Sequence, residues 1–281
     1  MVKNQFIESL NQSRCDQFAF TCKGFDLILC VGTFPSRHDT ALLESLRESN
    51  AKVVYLFTME DQALVEQSTF FSRYEVGSEE GIFALLAKSF LAQSKLPETI
   101  KNYFEALDEG YISAESNLGE EEIEEIEALY QEAQNVLIVL GDDLISHPRA
   151  SNIAHLAGLI AMYGKAKLCI VGATPEMVIE TKNETVLEDV EDIKSFDGVV
   201  IYQCPVINNN EENLLIGSAQ FQMAAKVQND DKITVAINQE VYPRTFVRDD
   251  SLKGVIALMP CAKADSSYPY HVVKIVKAEV Q

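Results

Sequence analysis

NVLIVLGDDLISHPRASNIAHLAGLIAMYGKAKLCIVG, residues 135–172, decides the fold. It opens on a nearly continuous apolar run, 135–141, the pattern of a strand covered on both faces of a parallel sheet. A polar turn follows, then a segment of helical apolar spacing over 148–164. In that segment Pro148 suits the first turn and Gly164 the exit. KLCIVG (167–172) is a second short apolar run, so the segment reads as strand, helix, strand, a βαβ unit.

The plan occurs once more, earlier in the chain. DLILCVG (26–32) and KVVYLF (52–57) are β-rich runs, and DTALLESLRES between them places Leu42, Leu43 and Leu46 at helical spacing. Two βαβ units, 26–57 and 135–172, predict an α/β fold: a doubly wound, mostly parallel sheet with helices on both faces. A helical insert is expected over 79–133, from stretches at 79–95, 97–108 and 119–133. GVVIYQ (198–203) is a third apolar run. Beyond about residue 225, short alternating runs broken by ND, DD and KG signal antiparallel strands and turns. The sequence thus divides into a Rossmann-like domain, 1–225, and a β-rich C-terminal region, 226–281, either a small subdomain or an antiparallel edge on the main sheet.

The chain has 281 residues, 43 acidic and 23 basic, with a formal net charge of −20. Such a surface repels nucleic acid and anionic lipid headgroups, so neither is expected as a partner. Apolar runs all fall short of the ~18–20 residues of a membrane span, and the N-terminus lacks the apolar core of a signal peptide. A cytoplasmic location is the default expectation, without direct membrane insertion. The acidic run at 119–133 reads as a solvated helix start, where glutamates favour the helix dipole. The six cysteines, at 15, 22, 30, 169, 204 and 261, form no CxxC pair, so neither a zinc nor an iron–sulfur site is expected. Cys30 and Cys169 read as buried, Cys204 as packing at a strand end, and Cys15 with Cys22 as a pair only in an oxidised sample.

In doubly wound sheets ligands sit beyond the carboxyl ends of the strands, near the switch point of strand order. The loops after Gly32 and Gly141 open there, and the candidate binding residues are Gly32, Thr33, Ser36, Arg37, Gly141, Asp142, Ser146 and His147. Their content departs from a phosphate cradle, which needs small residues and free backbone N–H groups at a helix start. Neither G-x-G-x-x-G nor a P-loop is present, Phe34 and Pro35 follow Thr33, and Asp142 and Asp143 would repel a pyrophosphate. His147, with Asp142 or Asp143 as partner, reads as a loop histidine rather than a catalyst. His155 lies eight residues on, without a third ligand for a metal. His38 and His271 read as isolated. No catalytic or metal-ligating residue is expected.

FDLILCVGTFPSRHDTALLESLRESNAKVVYLFTMED (25–61) resembles the α/β segment of molybdopterin oxidoreductases that holds the nucleotide end of the cofactor. Residues 136–172, above all GDDLISHPRASN (141–152), look similar to one subunit of respiratory NADH-quinone oxidoreductase (complex I). That subunit joins a cluster-bearing N-terminal region to a large domain of the molybdopterin oxidoreductase fold. The two segments cover about a third of the chain. The resemblance implies a molybdopterin oxidoreductase-like domain, here lacking the iron–sulfur N-terminal region. It further implies an accessory, non-catalytic scaffold module with no cofactor of its own. Its partners would be other peripheral-arm subunits, which would bring it to the cytoplasmic face of the inner membrane. Two alternatives are a small-nucleotide-binding sensor domain and a piece of a molybdopterin-dependent oxidoreductase.

Overall fold

The computed structural model describes residues 2–12, 18–174, 186–237, 240–262 and 267–277. Cys15, one half of the conceivable disulfide, lies outside them. The chain forms two compact units, one of Met1–Thr58 with Ala63–Lys194, the other of Met59–Gln62 with Ser195–Gln281.

The first unit begins with α1 (Val2–Gln12), β1 (Leu27–Val31), α2 (Pro35–His38), α3 (Thr40–Arg47) and β2 (Lys52–Phe57). Next come α4 (Gln62–Val65), β3 (Phe70–Arg73), α5 (Glu79–Leu91), α6 (Glu98–Ala106), α7 (Glu109–Ser116) and α8 (Glu120–Glu132). It closes with β4 (Val136–Leu140), α9 (Asp142–Ser146), α10 (Ala150–Tyr163) and β5 (Ala166–Ile170). The five strands form one sheet in the order β3-β2-β1-β4-β5, and every pairing is parallel. The order reverses between β1 and β4. The apolar residues of α10 join the large core on one face while Leu42, Leu43 and Leu46 of α3 lie outside it, so helices cover both faces and the sheet is doubly wound as expected.

Leu27, Leu29 and Val31 of β1 belong to the large core shared with α1, α5 and α10, while Ile28 and Cys30 point to the other face; all five are fully buried. Two-sided burial explains the unbroken apolar runs of β1 and β4. Helix α10 is apolar around most of its surface because α1 and α5 both pack on it. Helix α8 is one-sided: Ile126 and Tyr130 are buried, and its acidic first turn, Glu120–Glu122, faces outward or is half-covered. Tyr130 stacks on Phe90 with ring centroids 3.9 Å apart.

Three details differ from the sequence reading. Pro148 lies outside the helix it was expected to start, because residues 142–146 form their own turn of helix and His147 before it is extended (ψ 143°). The residue before proline is pushed out of the helical region, which separates α9 from α10. Helices α1 and α7 are additional, as is the edge strand β3. Cys169, expected buried, is half-buried, whereas Cys30 is fully enclosed.

The second unit contains β6 (Val200–Pro205), β7 (Leu214–Gly217), α11 (Ala219–Ala225) and β8 (Lys232–Ile237), then β9 (Glu240–Arg248), β10 (Ile256–Cys261), β11 (Tyr270–Val272) and β12 (Lys274–Lys277). Its seven strands form a separate mixed sheet, β11-β6-β10-β7-β9-β8-β12. Pairings of β8 with β9 and β12 are antiparallel, but β6–β10 and β7–β9 are parallel. The sequence reading divided the chain near 225; the compact units divide at 194/195 because β6 pairs with β10 and β11 rather than joining the first sheet.

Candidate functional site

Val31 and Leu140 are directly paired, so the glycines that follow β1 and β4 meet at the switch point. Gly141 N–H donates to Val31 O at 2.9 Å, and Asp143 N–H donates to Gly32 O at 3.2 Å. A Cβ on Gly141 would lie 2.0 Å from Gly32 O, and one on Gly32 would lie 2.8 Å from Leu144 Cγ. Gly32 also has φ +65°, a conformation that side-chain-bearing residues rarely adopt. Both glycines are therefore required by close approach of the two loops. The Gly32 carbonyl lies at the first turn of α9, where an anion would sit in a nucleotide-binding turn.

Asp142 faces Lys3 Nζ at 3.4 Å and His38 Nδ1 at 3.4 Å. Lys3 also donates to Val171 O at 2.7 Å. Burial alone would raise the Asp142 pKa; the hydrogen bond from His38 and the charge of Lys3 outweigh it and hold the carboxyl below its ordinary range. His38, read as isolated, is thus tied across the switch point. Asp39 caps α3, accepting from Leu42 N–H at 2.9 Å, a contact that stabilises by about 1 kcal/mol. Ser36 and Arg37 lie in the short helix α2, and Ser146 Oγ donates to Asp142 O at 2.9 Å. Thr33 is buried; its carbonyl accepts from Tyr55 OH at 3.1 Å, while its hydroxyl finds no hydrogen-bond partner among the described residues.

These contacts do not suit a dinucleotide cofactor. One first-turn N–H of α9, that of Asp143, is taken by Gly32 O, Leu144 packs on the first glycine, and Asp142 presents a charged carboxylate at the same turn.

His147 belongs to a second cluster. Its Nδ1 accepts from Arg149 N–H at 2.9 Å, which places the ring proton on Nε2, 3.4 Å from Gly77 O and 3.5 Å from Glu79 Oε2. The carboxylate against His147 is therefore Glu79, at the start of α5, whereas Asp142 is engaged by His38 and Lys3. Burial pushes the His147 pKa down to about 4, with repulsion from Arg149 adding to the fall and the Gly77 carbonyl opposing it. At pH 7 His147 is therefore a neutral imidazole.

Beside it, Glu80 accepts from Arg149 Nε at 2.9 Å, from Asn152 Nδ2 at 2.7 Å and from Glu191 N–H at 3.2 Å. Burial still raises its pKa against these partners. Arg149 pairs further with Glu188 and, at 3.3 Å, with Glu191, and donates to Asp189 O at 3.0 Å. Asn152 mimics a strand neighbour for Glu188, donating to its carbonyl at 2.8 Å and accepting from its N–H at 3.0 Å. The cluster fastens the segment around 188–191 to α5 and α10. Sequence reasoning missed Glu79, Glu80 and Asn152 as buried polar anchors.

Among the described residues, no three His, Cys, Asp or Glu side chains gather as a metal site. Cys204 is buried inside β6. No helix among the described residues is long and apolar enough to cross a membrane.

No family model and no curated protein matches the chain. Among solved structures it is similar to acetylene hydratase from Pelobacter acetylenicus, with a TM-score of 0.47 and 11% identity over 57% of this chain and 24% of that one. The chain thus spans about a quarter of the length of that protein, and nothing about its activity follows from the likeness.

Proposed function

We propose that this chain is a non-catalytic scaffold module of respiratory NADH-quinone oxidoreductase, corresponding to the molybdopterin oxidoreductase-like α/β domain of that complex's peripheral arm. The carrying observation is the closed switch point, where Asp143 N–H bonds to Gly32 O and Gly141 leaves no space for a Cβ. The position where this architecture holds ligands is filled by its own backbone, and the nearby charged groups are engaged in fastening. The work left to such a domain is packing against other peripheral-arm subunits.

The experiment is affinity purification of the tagged chain from its native cells under mild detergent, followed by identification of stoichiometric companions. Recovery of the cluster-bearing peripheral-arm subunits supports the scaffold reading; recovery of the chain alone, in cells that hold an intact NADH-quinone oxidoreductase, contradicts it. One observation favours the second reading, a nucleotide-binding sensor: the buried Thr33 hydroxyl has no hydrogen-bond partner among the described residues. A thermal-shift screen with guanine and adenine nucleotides separates the two, since a ligand at a hundred times its Kd stabilises by about 2.7 kcal/mol. A third reading, a piece of a molybdopterin-dependent oxidoreductase, requires a larger molybdenum-bearing chain among the companions.

A further inference from the structure

The second unit contains a cleft of about 610 Å³, lined by residues that include Gln203, Glu212, Tyr242, Arg244, Cys261 and His271. Its volume lies within the usual range for small-ligand sites, roughly 300–1,000 Å³. These residues come from β6, β9, β10 and β11 and the chain before β7, so strands of one sheet hold the cleft.

Arg244 is the unusual member. Its Nη1 donates to the carbonyl of Pro243 at 2.9 Å, and its Nη2 lies 4.0 Å from Cys261 Sγ. Among the described residues its buried Nε has no hydrogen-bond partner, and no carboxylate lies within ion-pair distance of the guanidinium. The guanidinium packs over the Tyr242 ring, 5.5 Å from its centroid. A half-buried guanidinium with no carboxylate of the described residues within ion-pair distance is costly. The neighbouring donors are ordered too: Tyr242 OH bonds to Glu240, and His271 Nε2 lies 3.2 Å from Gln203 Oε1. With the imidazole donating to that oxygen, the Gln203 amide N–H groups are left to donate.

We infer that this cleft binds a small carboxylate ligand, its carboxylate pairing with Arg244 and accepting from the Gln203 amide. A carboxylate matches a planar guanidinium and adds a single negative charge. A phosphate dianion would bring twice the charge to a cleft that has one arginine and is also lined by Glu212 and Glu240. The two glutamates suit a ligand that also carries an ammonium group, as a free amino acid does.

The test titrates the full chain with acetate, glycine and inorganic phosphate at constant ionic strength, following the unfolding midpoint and the Arg244 Hε resonance. Arg244→Gln and Arg244→Lys are measured alongside, each checked for native circular dichroism. Acetate and glycine are expected to bind saturably, with at least about ten-fold weaker binding in Arg244→Gln, since a hydrogen bond to a charged group is lost. Arg244→Lys, which keeps the charge and loses the fork, should fall between. Equal binding by Arg244→Gln, no saturable effect of acetate or glycine, or tighter binding of phosphate than of acetate overturns the inference. None of these outcomes depends on the scaffold reading, which is carried by the closed switch point of the first unit.

Discussion

Arg149 and Arg244 are both partly buried, yet their surroundings are opposite. Arg149 is met by Glu80, Glu188 and Glu191 and a backbone carbonyl, so its charge is used up in holding α5, α10 and the 188–191 segment together. Arg244 has one carbonyl, a distant thiol and an aromatic face, beside a cleft. The first arrangement is complete without a ligand; in the second, no carboxylate of the described residues lies within ion-pair distance of the guanidinium. The same contrast separates the closed switch point of the first unit from the open cleft of the second.

The largest expected effect comes from breaking the complete arrangement. Arg149→Ala leaves Glu80 buried without its cation and should cost about 3–5 kcal/mol in urea denaturation. A loss below about 1 kcal/mol would make Arg149 a surface group like any other.

Gly141→Ala comes next. The added methyl meets the Gly32 carbonyl at 2.0 Å, so the loops must separate, at a cost of about 3 kcal/mol. Native stability in that variant would mean the switch point has slack, and space for a ligand.

The pH dependence has a comparable ceiling. His147 is lowered from 6.5 to about 4, so the unfolded chain binds its proton first as pH falls. Full stability is present above about pH 6.5, declines between 6.5 and 4, and is flat for this group below 4, a total of about 3 kcal/mol at most. His147→Gln should flatten that decline, and an unchanged profile would show that other groups produce it.

Arg244→Gln should show the smallest effect in the absence of ligand, less than about 1 kcal/mol, because no carboxylate among the described residues is stranded by it. A loss as large as that of Arg149→Ala would erase the contrast between the two arginines.

Much of the first sheet was legible because two-sided burial leaves a plain signature: β1, β2 and β4 are unbroken apolar runs ending at glycine or phenylalanine. The same signature does not say which sheet a strand joins. GVVIYQ therefore reads as part of the Rossmann-like domain in sequence, while β6 pairs with β10 in the other sheet. The glutamates illustrate a second limit. Glu79 and Glu80 at the start of α5 and Glu120–Glu122 at the start of α8 are alike in sequence, yet the first pair is buried. The difference lies some seventy positions along the chain, in His147, Arg149 and Asn152. No local pattern encodes it. The candidate loops after Gly32 and Gly141 do lie together at the sheet edge, but their mutual contact through Gly32 O depends on β1 and β4 being neighbours, a fact of topology rather than of motif.

The most direct test of the central claim is to denature the chain purified from its native cells and measure molybdenum by mass spectrometry and guanine nucleotide by chromatography. A closed switch point predicts both far below one equivalent per chain. One equivalent of either, lost in a variant that fills the switch point such as Thr33→Phe, would contradict it.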